Sequence, residues 1–191
     1  MKARKITSEN YQDPHHFDSE IEEEKGHDFN GVYVWKKSRF HISTDKKELN
    51  TTFIHAFLTQ SHWAKGIDKN TVEMSVQNSI CFGIYRNKAS NRQIGFARII
   101  TDHCTFAYLS DVFITDEYRG HGLGNWLVQC CLAHPVMAGL RRVMLYTSRA
   151  PWLYEKAGFQ PINQSDVVWT ISRPDVYQQA SDVSHVVKLL H

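Results

Sequence analysis

The sequence predicts an α+β fold, a mixed and mostly antiparallel sheet flanked by helices. Strand and helix patterns follow one another in the order strand, two helices, three strands, helix, strand, helix, strand. Short polar turns separate the three central strands, so a meander of antiparallel neighbours is the simplest arrangement. A glycine-rich loop at residues 120–124 then opens directly into a helix. This order is typical of a single α+β domain.

The composition indicates one globular domain with extensions. The 191 residues are 42% hydrophobic and 22% charged, which are ordinary globular values. The formal net charge is +2, but residues 1–30 hold four basic and eight acidic side chains, so the remainder carries +6. This mild basicity suits a polyanionic cofactor. Because the sequence has no basic cluster or aromatic ladder, we expect no nucleic-acid partner.

The sequence also bears on location. The chain has no apolar run of about 18 residues and no signal-like N-terminal segment, so we expect a cytoplasmic protein with no membrane partner. The four cysteines have no C-x-x-C spacing and are expected to be small core side chains in a reducing compartment. They are Cys81, Cys104, Cys130 and Cys131.

Three regions follow from the patterns. Residues 1–32 form a polar extension, residues 33–172 the folded domain, and residues 173–191 a C-terminal amphipathic segment. From Pro174 onward, apolar residues fall along one helical face. We expect this segment to dock on the domain or on a second copy, which would make a homodimer.

The first half of the domain contains a strand, two helices and another strand. Residues 33–42 alternate loosely as a strand, and residues 53–58 carry one apolar helix face. Asp68 is a suitable N-cap for a second helix, with Ile67 and Val72 spaced as a hydrophobic staple. Residues 80–85 are the first of the three meander strands.

The second half completes the sheet. Residues 93–101 and 105–114 are the next strands, separated by a turn at Asp102 and His103. A helix is predicted from Leu123 to His134, because apolar residues recur at helical spacing and Pro135 ends the run. Residues 142–147 form a fifth strand, residues 151–157 a short helix, and residues 167–171 a last strand.

The loop before the long helix is suited to binding an anion. A helix N-terminus presents unpaired backbone N–H groups and the positive end of its dipole. Gly120, Gly122 and Gly124 remove side chains that would keep an anion from this backbone, and Arg119 adds a charge. The spacing is neither that of a nucleotide P-loop nor G-x-G-x-x-G.

Two motifs carry a resemblance to a known family. The Arg-x-x-Gly-x-Gly pattern of Arg119, Gly122 and Gly124 resembles the acetyl-coenzyme A pyrophosphate loop of the GNAT acetyltransferase superfamily. About 30 residues later, residues 153–159 resemble the Leu-Tyr-x-x-x-Gly-Phe segment of that family. The similarity covers residues from about 38 to 172 and is closest over 79–159. It implies a GNAT-like fold whose central pair of strands is splayed.

The resemblance implies a site for acetyl-CoA as co-substrate. The strand before the loop would part from the strand at 142–147, and the crevice would take the pantetheine arm. The expected cofactor-binding residues are Val112, Phe113, Ile114, Arg119, Gly120, His121, Gly122, Leu123, Gly124 and Asn125.

Catalysis would need an acid for the thiolate and a route for the proton of the ammonium. Tyr154, the tyrosine of the second motif, is the candidate general acid, since a phenol holds its proton at neutral pH yet can donate it. Asp111 is the candidate general base. A carboxylate that satisfies a bulge in the strand is an equally supported interpretation, and water alone would then take the proton.

The acceptor is expected to be a primary amine on a small molecule. Trp63, Tyr85, Tyr108 and Trp152 could line an aromatic pocket, with two of the four touching substrate. The chain departs from its relatives at residues 148–152, beside Tyr154. Two alternatives stay open: acetylation of a protein lysine or N-terminus, and a non-catalytic acyl-CoA-binding module. The histidines show no ligand spacing, so no metal is expected.

Overall fold

The computed structural model describes residues 31–87, 91–163, 167–172 and 175–178. Within these ranges lie six strands and four α-helices. The strands are β1 (Val34–Lys37), β2 (Phe40–Ser43), β3 (Ile80–Arg86), β4 (Arg92–Thr101), β5 (Phe106–Ile114) and β6 (Arg142–Met144). The helices are α1 (Thr51–Leu58), α2 (Lys69–Gln77), α3 (Leu123–Ala133) and α4 (Pro151–Lys156).

The strands form one sheet in the order of the chain, as the α+β prediction requires. Each neighbouring pair is antiparallel except β5 and β6, which are parallel. The parallel pairing joins Phe106 to Arg142 and ends where Tyr108 faces Met144. The rest of β5 continues to Ile114, past the end of β6. The predicted splay between two strands is therefore present in the structure.

Helices cover both faces of the sheet. On one face, α1 and α2 pack over a buried group from β3, β4 and β5 that includes Cys81, Phe96 and Phe113. On the other face, α3 packs over apolar residues of β2 to β5, and side chains of α4 join the same cluster. The alternation of side chains along each strand supplies both cores at once.

The two helices before β3 begin at capping side chains. Asn50 accepts a hydrogen bond from the N–H of Phe53 at the start of α1. Asp68 caps α2 through the N–H of Thr71, as predicted, and the Thr71 hydroxyl bond lowers the pKa of this carboxyl.

Several predicted elements need correction. The predicted strand at 33–42 is a hairpin of β1 and β2, in which Ser38 takes a left-handed φ of 52°. Serine gives no strong signal for such a turn, so the break was not visible in the sequence. The strand predicted at 142–147 ends at Met144. Cys104 is exposed, whereas the other three cysteines are buried as expected.

The strand predicted at 167–171 was also wrong. Its residues have no strand pairing among the described residues, and their apolar side chains are exposed. Alternation can indicate a strand, but it cannot supply a sheet edge to pair with. Most of the C-terminal helix predicted from Pro174 lies outside the described residues. Residues 1–30 of the predicted polar extension also lie outside them.

We predict that Gly83→Ala destabilises the protein by about 1–3 kcal/mol, because a Cβ at this position would overlap the phenol of Tyr85. Tyr85 is 1% exposed and so has no space into which it could retreat. Thermal or urea unfolding measures the effect. Gly139→Ala is the control, since a Cβ there meets no described atom within 4 Å. Equal stability of the two variants would contradict the overlap.

Candidate active site

The glycine loop gives α3 an N-terminus that is open to a ligand. The N-cap is Gly122, which has no side chain to bond the first N–H groups, whereas α1 and α2 are capped by Asn50 and Asp68. Gly120 and Gly122 both have left-handed backbones, with φ of 79° and 72°. A Cβ on either glycine would meet none of the described atoms within 4 Å. The loop therefore leaves room for an anion beside unpaired N–H groups.

Arg119 stabilises the conformation of this loop and also adds a positive charge to it. Its Nε donates to the carbonyl oxygen of Ile114 at 3.0 Å, and its guanidinium pairs with Asp116 at 2.8 Å. A ring nitrogen of His121 lies 2.8 Å from the carbonyl oxygen of Arg119. The end of β5 and the loop are thus tied together, and part of the positive charge is shared with Asp116.

The loop adjoins the cleft where β5 and β6 part. The first turn of α3 passes close to β5, since a Cβ on Gly124 would lie 4.0 Å from the Ile114 side chain. Phe113 and Ile114 bury their side chains in the two cores. Their backbone runs along the stretch of β5 that extends past β6. Backbone polar groups along such an edge need partners, which a ligand with amides can provide.

Tyr154 is placed by the way α4 ends. Gly158 has a φ of 94°, its N–H donates to the carbonyl of Glu155, and the N–H of Phe159 donates to the carbonyl of Tyr154. These two bonds form a Schellman motif, which usually brings an apolar contact between the residues it joins. The rings of Tyr154 and Phe159 make that contact edge to face, with centroids 6.0 Å apart. The Leu-Tyr-x-x-x-Gly-Phe pattern therefore has a local structural cause.

The phenol of Tyr154 is strongly held in its neutral form. Burial raises its pKa to about 12, and the nearby Cys131 thiol and Tyr108 phenol add to the rise. Burial also raises the pKa of Tyr108, whose phenol accepts a hydrogen bond from the backbone of Tyr146, just beyond β6. Two neutral phenols thus lie near the point at which the strands separate.

Asp111 sits in a bulge on the same strand. Its φ is 52°, and both its carboxylate oxygens accept hydrogen bonds: one from Arg98 Nε at 2.5 Å, the other from Trp63 Nε1 at 3.1 Å. The side chain is only 8% exposed. These contacts agree with the interpretation that the carboxylate of Asp111 stabilises the bulge in the strand. Its role as a general base stays a prediction.

The four aromatic residues predicted to line an acceptor pocket differ in their exposure and contacts. Trp63 contacts Asp111, and Tyr108 lies near Tyr154. Tyr85 is enclosed and stacks on the ring of His41, with centroids 4.8 Å apart, so it presents no surface to a ligand here. Trp152 is 58% exposed on α4.

Sequence reasoning gave no role to Arg98, which the structure places at the centre of the polar contacts. Besides Asp111, its guanidinium reaches the hydroxyl of Ser79 at 3.3 Å. The signal was a charged residue in the middle of an apolar strand pattern, where a partner is needed. Among the described residues, no group of three His, Cys, Asp or Glu side chains could hold a metal ion. The described helices are all too short or too polar to cross a membrane.

We predict that Tyr154 makes stability depend on pH in the alkaline range. A pKa raised from 10.0 to about 12 means that the unfolded chain releases this proton first, so the contribution of Tyr154 is complete below pH 10 and is lost as pH rises toward 12. The unfolding free energy of wild type minus that of Tyr154→Phe should fall over this window. A difference that does not change with pH would contradict the burial of this phenol.

Comparisons with known proteins agree with this architecture. A family model described as an acetyltransferase (GNAT) domain matches residues 77–161. A predicted acetyltransferase of Gibberella zeae is 33% identical, over 64% of this chain and 79% of its own length. The crystal structure of a predicted GNAT acetyltransferase from Xanthomonas campestris is 39% identical, with a TM-score of 0.69, and covers 74% of this chain and 99% of its own.

A more distant structure shares the fold. It is a predicted acetyltransferase from Clostridium acetobutylicum, solved with acetyl-CoA, at 14% identity and a TM-score of 0.52, covering 70% of this chain and 94% of its own. The identity to the first two relatives over most of their length is the stronger finding. It shows that the chain belongs to the GNAT family of acetyltransferases, a family that uses acetyl-CoA.

Proposed function

We propose that the protein transfers the acetyl group of acetyl-CoA to a primary amine of a small molecule, by direct attack in a ternary complex. One observation carries the proposal: an uncapped helix N-terminus behind open glycines adjoins a cleft in the sheet that has a neutral, half-buried phenol beside it. The first feature suits a pyrophosphate, the second an amide-bearing arm, and the third a leaving thiolate.

Binding of acetyl-CoA would rest mainly on the backbone. The N–H groups of the loop and of the first turn of α3, at residues 120–125, would receive the pyrophosphate. The peptide groups of Val112, Phe113 and Ile114 would pair with the amides of the pantetheine arm. An N–H of this stretch would also stabilise the thioester oxygen as negative charge develops on it.

The chemistry then needs the amine nitrogen to lose two protons and the thiolate to gain one. The neutral amine attacks the thioester carbonyl carbon, the tetrahedral intermediate collapses, and the carbon–sulfur bond breaks with its electron pair on sulfur. Tyr154 donates its proton to that thiolate. The amine arrives as an ammonium and first loses a proton to water. After the attack its nitrogen loses a second proton to water, and the phenolate of Tyr154 regains a proton from water. The ion pair with Arg98 offsets the charge of Asp111, so water is the proton acceptor in this scheme.

The contacts on one side of the cleft support the choice of a small acceptor rather than a protein segment. Trp63 lies between α1 and α2, and its bond to Asp111 brings this connection down onto β5. A connection that covers this part of β5 favours a small acceptor, and the aromatic side chains of Trp63 and Tyr108 would border its binding site. A panel of small amines and of lysine and N-terminal peptides, assayed by release of free thiol, tests this choice.

We predict that Gly122→Val abolishes binding of acetyl-CoA, because its side chain would occupy the space of the phosphates. Arg119→Ala should weaken binding by less, since the backbone supplies most contacts. Calorimetry with acetyl-CoA measures both. Gly31→Val is the matched control: Gly31 also has a left-handed φ, 73°, and a Cβ there would meet none of the described atoms within 4 Å, but it precedes β1 at the other end of the sheet. Unchanged affinity in the Gly122 variant would refute the site.

We predict that Tyr154→Phe lowers kcat by about 10²–10⁴-fold and spares acetyl-CoA affinity, because the proton is needed only as the thiolate leaves. Steady-state kinetics with an accepted amine, together with calorimetry, separate the two effects. Tyr33→Phe, the same chemical change beside β1, serves as the control. A loss of less than about tenfold would reduce Tyr154 to a packing residue.

A further inference from the structure

Arg98 is a charged side chain within the sheet that contacts the neighbouring strand β5 and the residue before β3. It lies on β4, and its Nε donates to Asp111 of β5 at 2.5 Å. Its terminal nitrogen reaches the hydroxyl of Ser79, the residue before β3, at 3.3 Å. The side chain is 16% exposed, so the ion pair is largely shielded from water. An interaction in such a setting is stronger than a surface ion pair, and its geometry is more restricted.

Asp111, the partner of Arg98, has a left-handed backbone conformation that carries a steric cost for any residue with a Cβ, although aspartate adopts it more readily than most. The register of β4 and β5 runs from Arg98 opposite Ser110 to Phe96 opposite Phe113, so two steps on β4 correspond to three on β5. The extra residue makes a bulge, and Asp111 within it has a φ of 52°. Residues other than glycine enter this region at a cost and stay there when their surroundings hold them.

The surroundings hold Asp111 by its carboxylate. Arg98 binds one oxygen, and Trp63 binds the other at 3.1 Å. Just after the bulge, Phe113 stacks flat on Phe57 of α1, with ring centroids 3.7 Å apart. The backbone between these two fixed points, at residues 111–113, includes the peptide groups offered to the pantetheine arm. Its path is therefore set at one end by the side chain of Asp111.

We propose that Arg98 is a positioning residue for acetyl-CoA binding: through the carboxylate of Asp111 it holds the left-handed bulge that presents the following backbone of β5 to the cofactor. This inference rests on the proposed function, since it assigns Arg98 to the same binding site. Arg98 itself touches neither the acetyl group nor the amine in this scheme. Its effect passes through the conformation of Asp111.

Two substitutions of Asp111 separate conformation from charge. Both Asp111→Ala and Asp111→Gly remove the carboxylate, but only glycine adopts a positive φ without steric cost. We expect acetyl-CoA affinity, measured by calorimetry, to fall about 5- to 30-fold in the alanine variant. In the glycine variant it should stay within about threefold of wild type. Equal losses in the two variants would overturn the proposal, because the carboxylate rather than the bulge would then matter.

Substitutions of Arg98 test its part directly. Arg98→Gln should weaken acetyl-CoA binding as Asp111→Ala does, while Arg98→Lys, which keeps a cation for the carboxylate, should recover most of the affinity. In the double variant Arg98→Gln with Asp111→Gly, affinity should return to that of Asp111→Gly alone, since glycine needs no holding. Additive losses would contradict the proposal, as would wild-type affinity in Arg98→Gln.

The stability of each variant and the affinity of the wild-type protein test different claims. Circular dichroism and thermal melts confirm that each variant is folded before its affinity is compared. A purely structural Arg98 would lower the melting temperature and leave the affinity of the folded protein unchanged, which overturns the inference alone. Failure of the wild-type protein to bind acetyl-CoA would instead refute the proposed function.

Discussion

The early parting of β5 from β6 is the constraint on which the rest of the site depends. Their parallel pairing ends at Tyr108 and Met144, while β5 runs on to Ile114. If β6 paired with β5 along its whole length, the two strands would satisfy each other's peptide groups and leave none free to bind a ligand. Because the strands part, the glycine loop that follows β5 and the helix that starts there lie next to exposed backbone, and a long, flexible co-substrate can be bound along both.

The opening is also reached from both faces of the sheet. Tyr154 belongs to the side covered by α3 and α4, and Trp63 to the side covered by α1 and α2. Under the proposed function, the group for the departing thiolate and the groups for the arriving amine therefore come from different helical layers. In a direct transfer the two partners approach the carbonyl from different directions, and this arrangement keeps their binding groups apart.

Those features whose causes are local were predictable from sequence. Asp68 caps α2, Pro135 follows the end of α3, and Gly158 ends α4, because each residue type acts on its own neighbourhood. The contact of Arg98 with Asp111 was not predictable, since it depends on a one-residue bulge that no residue type in β5 marks. Across this bulge the side chains on the α3 face change from Ala107 and Leu109 to Val112 and Ile114. For the same reason the pattern at 167–171 indicated a strand without showing whether any partner exists.

The absence of a side-chain cap on α3 means that a change which stabilises the helix would also act against ligand binding. A helix is routinely made more stable by replacing a glycine N-cap with serine, threonine or asparagine. Replacing a left-handed glycine with asparagine is another such change. At Gly122, the N-cap of α3, such a side chain would satisfy the helix end from within the protein. In the free protein the first N–H groups of α3 have no side-chain cap, and a bound anion would satisfy them. Binding of an anion to the loop should therefore raise the free energy of unfolding.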